Sequence, residues 1–159
     1  MNLDDLDIKI LSRLLQQGRI TWSELASQLQ LSAPATADRV KRLEERGVIA
    51  GYSARLNAAA LGLDLTAFMA VTLDQPQHRE GFLAEVACTA AILECHHVTG
   101  DDDYLLKVRC RNTKALEELI THRIKAIPGV LKTRTLIVLS TVKETQAPPL
   151  EADEDGVLS

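Results

Sequence analysis

The sequence is poor in aromatic residues and cysteines, and it has no long hydrophobic run. Aromatic residues make up 3% of the 159 residues, so an aliphatic core is expected. The three cysteines are an odd number without a CxxC spacing, which argues against a disulfide framework and fits a reducing cytoplasm. No apolar run approaches the roughly 18 residues of a membrane span, and the acidic amino terminus is unlike a signal peptide. We therefore predict a cytoplasmic protein with no membrane partner.

The signatures of common catalytic and metal sites are also missing. The chain contains no GxSxG elbow, phosphate-binding loop, GxGxxG or HExxH. Strand alternation would place Cys95 and His97 on one sheet face and His96 on the other, which is short of the four ligands of a structural zinc site. A pH-sensing His97 near a dimer face is a minor alternative. We predict no enzyme activity, no catalytic residues, no metal and no cofactor.

Residues 21–47 have the pattern of two helices joined by a tight turn. Thr21 and Glu24 are spaced so that each can cap the backbone of the other. Ser32 can cap the second helix, and Gly47 can end it in a left-handed conformation. This pattern predicts a helix-turn-helix.

The second helix of the pair has an apolar side and a charged side. Thr36 lies on the inward stripe with Val40, while Arg39 and Arg42 lie on the other side and are candidates for contacts to guanine or phosphate. The amino-terminal turns of such a helix enter the major groove of double-stranded DNA. The predicted DNA-binding residues are Ser32, Ala33, Ala35, Thr36, Arg39, Lys41 and Arg42.

From Leu65 onward, the hydrophobic period changes from about 3.6 residues to 2. Strands are predicted at residues 65–74, 91–99, 104–110 and 130–142, and helices at 78–88 and 113–126. The order strand, helix, strand, strand, helix, strand is that of a ferredoxin-like unit. Both helices cover one face of the sheet, and alternate residues on the other face are still apolar. That bare face predicts a homodimer packed sheet on sheet.

The turn Gly100–Asp103 between the two middle strands is acidic. A free amino acid offers an ammonium group, which Asp101 or Asp103 could accept, and a carboxylate, which backbone N–H groups near Gly100 could hold. The alternative is a solvated turn that only sets the register of the hairpin.

The negative net charge comes from the carboxy terminus. The formal net charge is −4, and residues 145–159 contain four acidic residues and no basic one. With its two prolines, this segment is predicted to be a disordered tail that aids solubility. Competition of the tail with DNA for the basic helix is a minor alternative.

We predict four segments along the chain. Residues 1–57 form the helix-turn-helix domain, with residues 48–57 as a short wing or as the start of a linker. Residues 58–64 are the linker, residues 65–144 the ferredoxin-like domain, and residues 145–159 the tail.

Several stretches together resemble the Lrp/AsnC, or feast/famine, transcription regulators over residues 2–143. The matching stretches are LDDLDIKILSRL at 3–14, LASQLQLS at 25–32, RVKRLEERGVIAGY at 39–52, VTGDDDYLLKV at 98–108 and PGVLKTRT at 128–135. The resemblance implies an α+β chain with an N-terminal winged helix-turn-helix and a C-terminal ferredoxin-like βαββαβ effector and dimerisation domain. It also implies palindromic operators and homodimers that assemble to tetramers or octamers. The segment Ala33-Pro34-Ala35-Thr36 departs from many relatives, which leaves the operator sequence open.

The resemblance further implies an effector pocket at a subunit interface. Its loop corresponds to the turn after Thr99, and strand residues of a neighbour complete it. The predicted effector-binding residues are Gly100, Asp101, Asp103, Tyr104, Thr133 and Thr135, and the predicted effector is an amino acid.

The sequence thus predicts a DNA-binding transcriptional regulator whose C-terminal domain binds a small effector. Two alternatives are a ligand-independent architectural DNA-binding protein and a small-molecule-binding regulatory subunit of a metabolic enzyme. Basic residues on one face of the second helix argue against the enzyme subunit, which has no need of them.

Overall fold

The computed structural model of the protein describes residues 3–150, which divide into two units. The helical unit comprises the described residues up to Arg55 together with those from Lys143 on. The sheet unit is Leu56–Val142. Within the described part of the chain, no helix is both long and apolar enough to cross a membrane.

The helical unit contains three helices, α1 (Asp5–Gln16), α2 (Trp22–Leu29) and α3 (Ala33–Glu45). The predicted capping box is confirmed at the start of α2. The backbone N–H of Glu24 donates to Oγ1 of Thr21 at 3.2 Å, and the N–H of Thr21 donates to Oε2 of Glu24 at 2.9 Å. These bonds satisfy amide groups that have no partner within a helix.

The turn between α2 and α3 is closed by the backbone. Gln30 adopts a left-handed conformation with φ 57°, and the N–H of Leu31 donates to the carbonyl oxygen of Ala26 at 2.9 Å. Oγ of Ser32 then accepts the N–H of Ala35 at 3.3 Å, which caps α3 as predicted. Gly47 ends α3 with φ 71°, also as predicted.

The core of the helical unit is aliphatic, as the composition requires. Its fully buried members come from all three helices and their connections: Leu3, Ile10, Leu11, Ile20, Leu25, Val40 and Leu43. Thr36 is buried beside them at 0% exposure, and its Oγ1 has no hydrogen-bond partner. Leu150 also packs against this cluster. Residues 143–150 group with the helical unit, and residues 151–159 of the predicted tail lie outside the described residues.

The segment after α3 carries no strand among residues 48–58. Val48 and Ile49 pack against the helical core, and the residues from Ala50 to Leu56 are exposed. Residues 50–56 therefore follow the helical core as an exposed segment without a paired strand.

The sheet unit has the predicted order of elements. They are β1 (Leu65–Leu73), α4 (Arg79–Cys88), β2 (Ile92–His97), β3 (Tyr104–Cys110), α5 (Thr113–Glu118), which continues as a π-helical turn (Leu119–Ile124), and β4 (Val130–Ile137). The prediction of β4 to residue 142 is too long. Ile137 pairs with Ala67, and the N–H of Val138 still donates to the carbonyl oxygen of Thr66 at 2.9 Å. Because β1 begins at Leu65, it offers a partner for no more than one residue after Val138.

The four strands form one antiparallel sheet in the order β2-β3-β1-β4, which is that of a ferredoxin-like fold. One face packs against α4 and α5. Its core includes Met69 and Val71 of β1, Leu106 of β3, Phe82 of α4 and Leu116 of α5. The sheet topology and the two-helix layer are therefore as predicted.

The other face of the sheet is not covered by a helix of the same unit. Alternation along the paired strands places Phe68, Ala70, Leu105 and Leu136 there as an apolar strip. Charged residues surround this strip. Glu94, for example, accepts hydrogen bonds from His96 and Lys107, which lower the pKa of its carboxyl group.

One glycine of the sheet unit is required both by its conformation and by its neighbour. Gly129 has φ 87°, and a Cβ there would overlap Cβ, Cγ and Nδ1 of His78. Gly129→Ala is expected to lower the free energy of unfolding by about 2–4 kcal/mol, from left-handed strain and overpacking together. Gly62→Ala is the matched control, because φ is 70° there but the space is open, and about 1–2 kcal/mol is expected. If urea unfolding gave the same loss of unfolding free energy for both variants, the side chain of His78 would move aside without cost.

The unpaired hydroxyl of Thr36 gives a second stability prediction. Thr36→Val keeps the branched shape and removes a buried group without a partner, so the free energy of unfolding should rise by about 1 kcal/mol. Thr36→Ser keeps the hydroxyl, loses a methyl group and should be less stable than the natural chain. DNA affinity should be unchanged in Thr36→Val, whereas a residue that reads DNA through its hydroxyl would lose affinity.

Candidate DNA-binding helix and effector loop

The first turn of α3 presents small side chains to solvent. Ser32, Ala33 and Ala35 are exposed, and the Ser32 cap together with Pro34 in the first turn fixes their backbone. Thr36, one residue further, is buried and packs inward. The prediction of Thr36 as a DNA-binding residue is therefore wrong. The sequence pattern allowed Thr36 on either side of the helix, and its side chain lies on the side that faces the core.

Arg39, the first cation on α3, is bound within the helical unit. Its Nη1 donates to Oδ2 of Asp4 at 2.7 Å and to Oδ1 of Asp7 at 2.8 Å. The Arg39 side chain is 26% exposed and that of Asp7 only 12%. This pair ties the middle of α3 to the first turn of α1, so the structure gives Arg39 a positioning role, in contrast to the predicted contact with DNA.

The ion pair also sets the titration of its members. Although burial acts in the opposite direction, the hydrogen bonds from Arg39 and from the backbone of Asp7 lower the pKa of Asp4. The hydrogen bond to Asp4 raises the pKa of Arg39, so the guanidinium stays charged. Because the pKa of Asp4 is lower in the folded state, its contribution to stability is present above the ordinary pKa of an aspartate. This contribution is lost as the pH falls through the lower folded value.

Two of the predicted cations remain at the surface of α3. Arg42 is exposed, and Lys41 is 71% exposed with Glu45 as its partner at 3.6 Å. Arg46 is exposed one turn beyond Arg42. These side chains extend the exposed face that begins at Ser32.

The segment after α3 is anchored to the helix by Tyr52. Its hydroxyl donates to Oε1 of Glu44 at 2.8 Å. Burial, followed by this hydrogen bond, raises the pKa of Tyr52 to about 12. The phenol is therefore neutral at physiological pH and acts as a donor to a helix side chain.

The acidic turn after β2 uses one of its carboxylates inside the sheet unit. Oδ2 of Asp103 accepts the N–H of Leu73 at 2.7 Å, at the irregularity where the β1–β4 pairing shifts. The N–H of Asp103 donates to the carbonyl of Val71 at 3.0 Å. Asp103 is therefore occupied by β1 and is a poor acceptor for an ammonium group, contrary to its predicted role.

Asp102 was not singled out from the sequence, although both of its carboxylate oxygens accept hydrogen bonds from other strands. Oδ1 accepts the hydroxyl of Thr72 at 3.2 Å, and Oδ2 accepts Nη2 of Arg134 at 2.8 Å. The Asp102 side chain is 12% exposed. Because Asp101, Asp102 and Asp103 are consecutive, the sequence does not indicate which of them pairs with an arginine on a distant strand.

Tyr104 also differs from its predicted role. It is 3% exposed in the sheet core, its ring lies 4.9 Å from that of Phe82, and its hydroxyl accepts Nε of Arg79 at 2.8 Å. His97 stacks on it with ring centroids 5.2 Å apart. This contact puts His97 on the helix-covered face, so the prediction of His97 near the bare face is wrong. The alternation of strand β3, with Tyr104, Leu106 and Val108 on one face, was the signal in the sequence for a buried Tyr104.

Gly100 and Asp101 remain exposed at the tip of the turn. Thr133 and Thr135 lie on β4 with intermediate burial, and Thr133 is paired with Val71, which is also the partner of Tyr104. Since β1 lies between β3 and β4, Thr133 and Tyr104 are about 10 Å apart across the sheet. One chain therefore brings the turn and the two threonines to the same end of the sheet without closing a pocket around them.

The cysteine and histidine residues do not converge. No group of three or more possible metal ligands occurs among residues 3–150. Burial raises the pKa of the Cys95 and Cys110 thiols, so both are held in the protonated form, which is a poor ligand.

Comparison with known proteins agrees with both units. The family model described as "Winged helix-turn-helix DNA-binding" matches residues 3–50, and that described as "Lrp/AsnC ligand binding domain" matches residues 66–148. The chain is 41% identical to the leucine-responsive regulatory protein of Haemophilus influenzae over 145 residues, which cover 90% of this chain and 87% of that protein.

Solved structures give the same result for the fold. A transcriptional regulator from Neisseria meningitidis, solved as a complex with L-methionine, is 34% identical with a TM-score of 0.90, and the match covers 93% of this chain and 97% of that one. A feast or famine regulatory protein from M. tuberculosis, also complexed with L-methionine, is 39% identical with a TM-score of 0.83, and the match covers 92% and 98%. The chain belongs to the Lrp/AsnC family of transcriptional regulators.

Proposed function

We propose that this regulator contacts DNA through the exposed face of α3 that runs from Ser32 to Arg42. The observation that carries this proposal is the division of α3 into two sides. Val40 and Leu43 fix one side in the core, while Ser32, Ala33 and Ala35 face solvent at the amino-terminal end. Such a rigid helix end is suited to the major groove.

The side chains on this face favour contacts of different kinds. Ala33 and Ala35 can meet a thymine methyl group but carry no hydrogen-bond information, and the hydroxyl of Ser32 can still donate to a base edge or phosphate. Arg42 and Lys41 supply the charge for phosphates or guanine. With so little direct readout, DNA shape and deformability contribute much of the selectivity.

A homodimer through the bare sheet face would supply two copies of α3. The apolar strip of Phe68, Ala70, Leu105 and Leu136 is what a second copy would cover by sheet-on-sheet packing. A twofold-symmetric dimer matches a palindromic operator, and further contacts would build tetramers or octamers. The DNA partner also implies a cytoplasmic location.

The effector proposed for the sheet unit is an amino acid bound near Gly100 and Asp101. Asp102 and Asp103 are engaged with Arg134 and with the backbone of β1, which leaves Asp101 as the carboxylate for an ammonium group. Backbone N–H groups at Gly100 would hold the carboxylate. Two relatives solved with L-methionine support this ligand class.

Because the site within one chain is open, a neighbouring subunit is proposed to complete it with Thr133 and Thr135. Ligand bound between subunits would favour one assembly or one spacing of the α3 pairs. The ligand can change the operator affinity only to the extent that it binds one assembly or spacing more tightly than the other. We propose that residues 1–57 form the DNA-binding domain, residues 58–64 the linker, and residues 65–144 the domain that binds the effector and associates with other subunits.

The first test of the proposal is a DNA titration by fluorescence anisotropy, with the chain's own upstream DNA against scrambled DNA. If a dimer makes ~6–10 phosphate contacts, affinity should fall roughly 10³–10⁵-fold between 50 and 200 mM salt. Arg42→Gln should weaken binding and reduce the slope of log affinity against log salt by about 1 for each phosphate that Arg42 neutralises. Arg39→Gln is the matched control. It should lower the free energy of unfolding by roughly 1 kcal/mol, since the pair is partly exposed, and leave the slope unchanged.

A smaller slope in Arg39→Gln but not in Arg42→Gln would contradict the assignment. Absence of binding by the natural chain at every salt concentration would refute the DNA contact altogether.

The effector proposal predicts that a pool of the twenty amino acids changes the operator affinity or the assembly state measured by light scattering. Asp101→Asn should remove this response because it removes the charge that pairs with the ammonium group. It should leave DNA binding without ligand intact. Specific DNA binding without any response would favour the architectural alternative.

A further inference from the structure

A cleft of the helical unit carries positive charge without an acidic residue in its walls. It has a volume of about 620 Å³ and lies between α1 and the end of α2 with the turn that follows. Lys9 and Arg13 of α1 line this basic cleft together with neutral polar and apolar residues. By contrast, the cleft between α1 and α3 contains three aspartates beside its arginines. The charge of the basic cleft is therefore not balanced by its own walls.

The two cations of the basic cleft are free to meet a ligand. Lys9 and Arg13 are four positions apart on α1, so their side chains lie on the same side of the helix. Both residues are exposed. Within residues 3–150, neither side chain has an ion-pair or hydrogen-bond partner, whereas Arg39 is bound to Asp4 and Asp7.

The basic cleft lies beside the start of α3. Gln30, which ends α2 in a left-handed conformation, is part of its lining. Ser32, the N-cap of α3, follows two residues later, and two residues span at most about 7 Å. The major groove is about 12 Å wide and has a phosphate backbone along each side. When the start of α3 lies in the groove, the cations of the cleft are therefore close to a phosphate strand.

The other polar groups of the cleft suit the same ligand. Ser12, Gln28 and Gln30 line it with a hydroxyl and two amides, which are common donors to phosphate oxygens in DNA complexes. Double-stranded DNA carries about one negative charge per 1.7 Å of its axis. Two unpaired cations among neutral donors are complementary to such a row of charges.

We propose that the basic cleft is a second DNA contact of this chain, in which Lys9 and Arg13 neutralise phosphates of the strand beside α3. The contact lengthens the footprint of each subunit on the duplex. It adds no sequence information, because the phosphates are the same at every base pair. This inference rests on the proposed function of α3, since the basic cleft meets a phosphate strand when α3 lies in the groove.

Counterion release sets the size of the expected effect. Each neutralised phosphate contributes about 0.9 to the slope of log affinity against log salt. Loss of one such contact should therefore reduce affinity roughly 3–4-fold more at 50 mM than at 200 mM salt. The reduction should be equal on the chain's own upstream DNA and on scrambled DNA, because a phosphate contact does not distinguish sequences.

The experiment measures the affinity of full-length chains for both DNAs by fluorescence anisotropy at 50 and 200 mM salt. The test variant carries Lys9→Gln and Arg13→Gln, which remove both charges and keep good helix formers on α1. Arg19→Gln is the matched control, because Arg19 is an exposed cation of the same unit that does not line the basic cleft. Thermal unfolding of each variant is measured in parallel.

The phosphate contact predicts a smaller salt slope in the test variant and an unchanged slope in Arg19→Gln. An unchanged slope in the test variant would overturn the proposal. The same reduction in Arg19→Gln would also overturn it, by showing general attraction in place of a contact at the cleft. A loss confined to the upstream DNA would exclude a phosphate contact.

Arg13 has a structural role to be separated from this one. It lies in the last turn of α1, where a cation also balances the helix dipole. A lower unfolding midpoint together with an unchanged salt slope would show the structural role alone and overturn the proposal.

Arg42→Gln, measured in the same series, distinguishes the basic cleft from the contact of α3. A smaller slope in Arg42→Gln but not in the test variant would retain the α3 contact and reject the cleft. The reverse result would retain the cleft and contradict the assignment of Arg42. Absence of binding by the natural chain at both salt concentrations would refute both.

Discussion

The position of α3 depends on the ion pairs of Arg39 with Asp4 and Asp7, which lie beside an aliphatic core. The core alone fixes which side of the helix is inward, through Val40 and Leu43. Arg39 adds direction, because one nitrogen binds two aspartates at the first turn of α1. Apolar packing tolerates sliding along a helix more readily than a short charged hydrogen bond does. The exposed start of α3 is therefore presented at one angle relative to α1.

Most of the secondary structure followed from local sequence, since its causes lie within a few residues. The capping box of Thr21 and Glu24, the cap at Ser32 and the ending of α3 at Gly47 involve spacings of no more than five residues. The ferredoxin-like order also followed from the period of the apolar residues. The end of β4 did not, because it is set by where the partner strand begins.

The candidate sites were less accessible from sequence because their contacts are distant. Arg39 and Asp7 are 32 positions apart, as are Arg134 and Asp102. Arg39 was predicted to contact DNA, but it is already paired with Asp7. Asp102 was not selected as a candidate, but it is the aspartate of its turn that pairs with Arg134. Charge patterns identify which residues are polar, but only the fold determines which charges are already satisfied. Tyr104 differs, because its burial was implied by the alternation of β3.

The two edges of the sheet bear on how copies of the chain can meet. An edge strand exposes unpaired backbone groups that invite pairing with another chain. Here β2 is interrupted by an irregularity between Ile92 and Glu94, and β4 carries Lys132 and Arg134. A bulge and adjacent cations both oppose end-to-end strand addition. Growth into an open-ended fibre by strand addition is therefore discouraged, which favours the proposed closed assembly through the broad face.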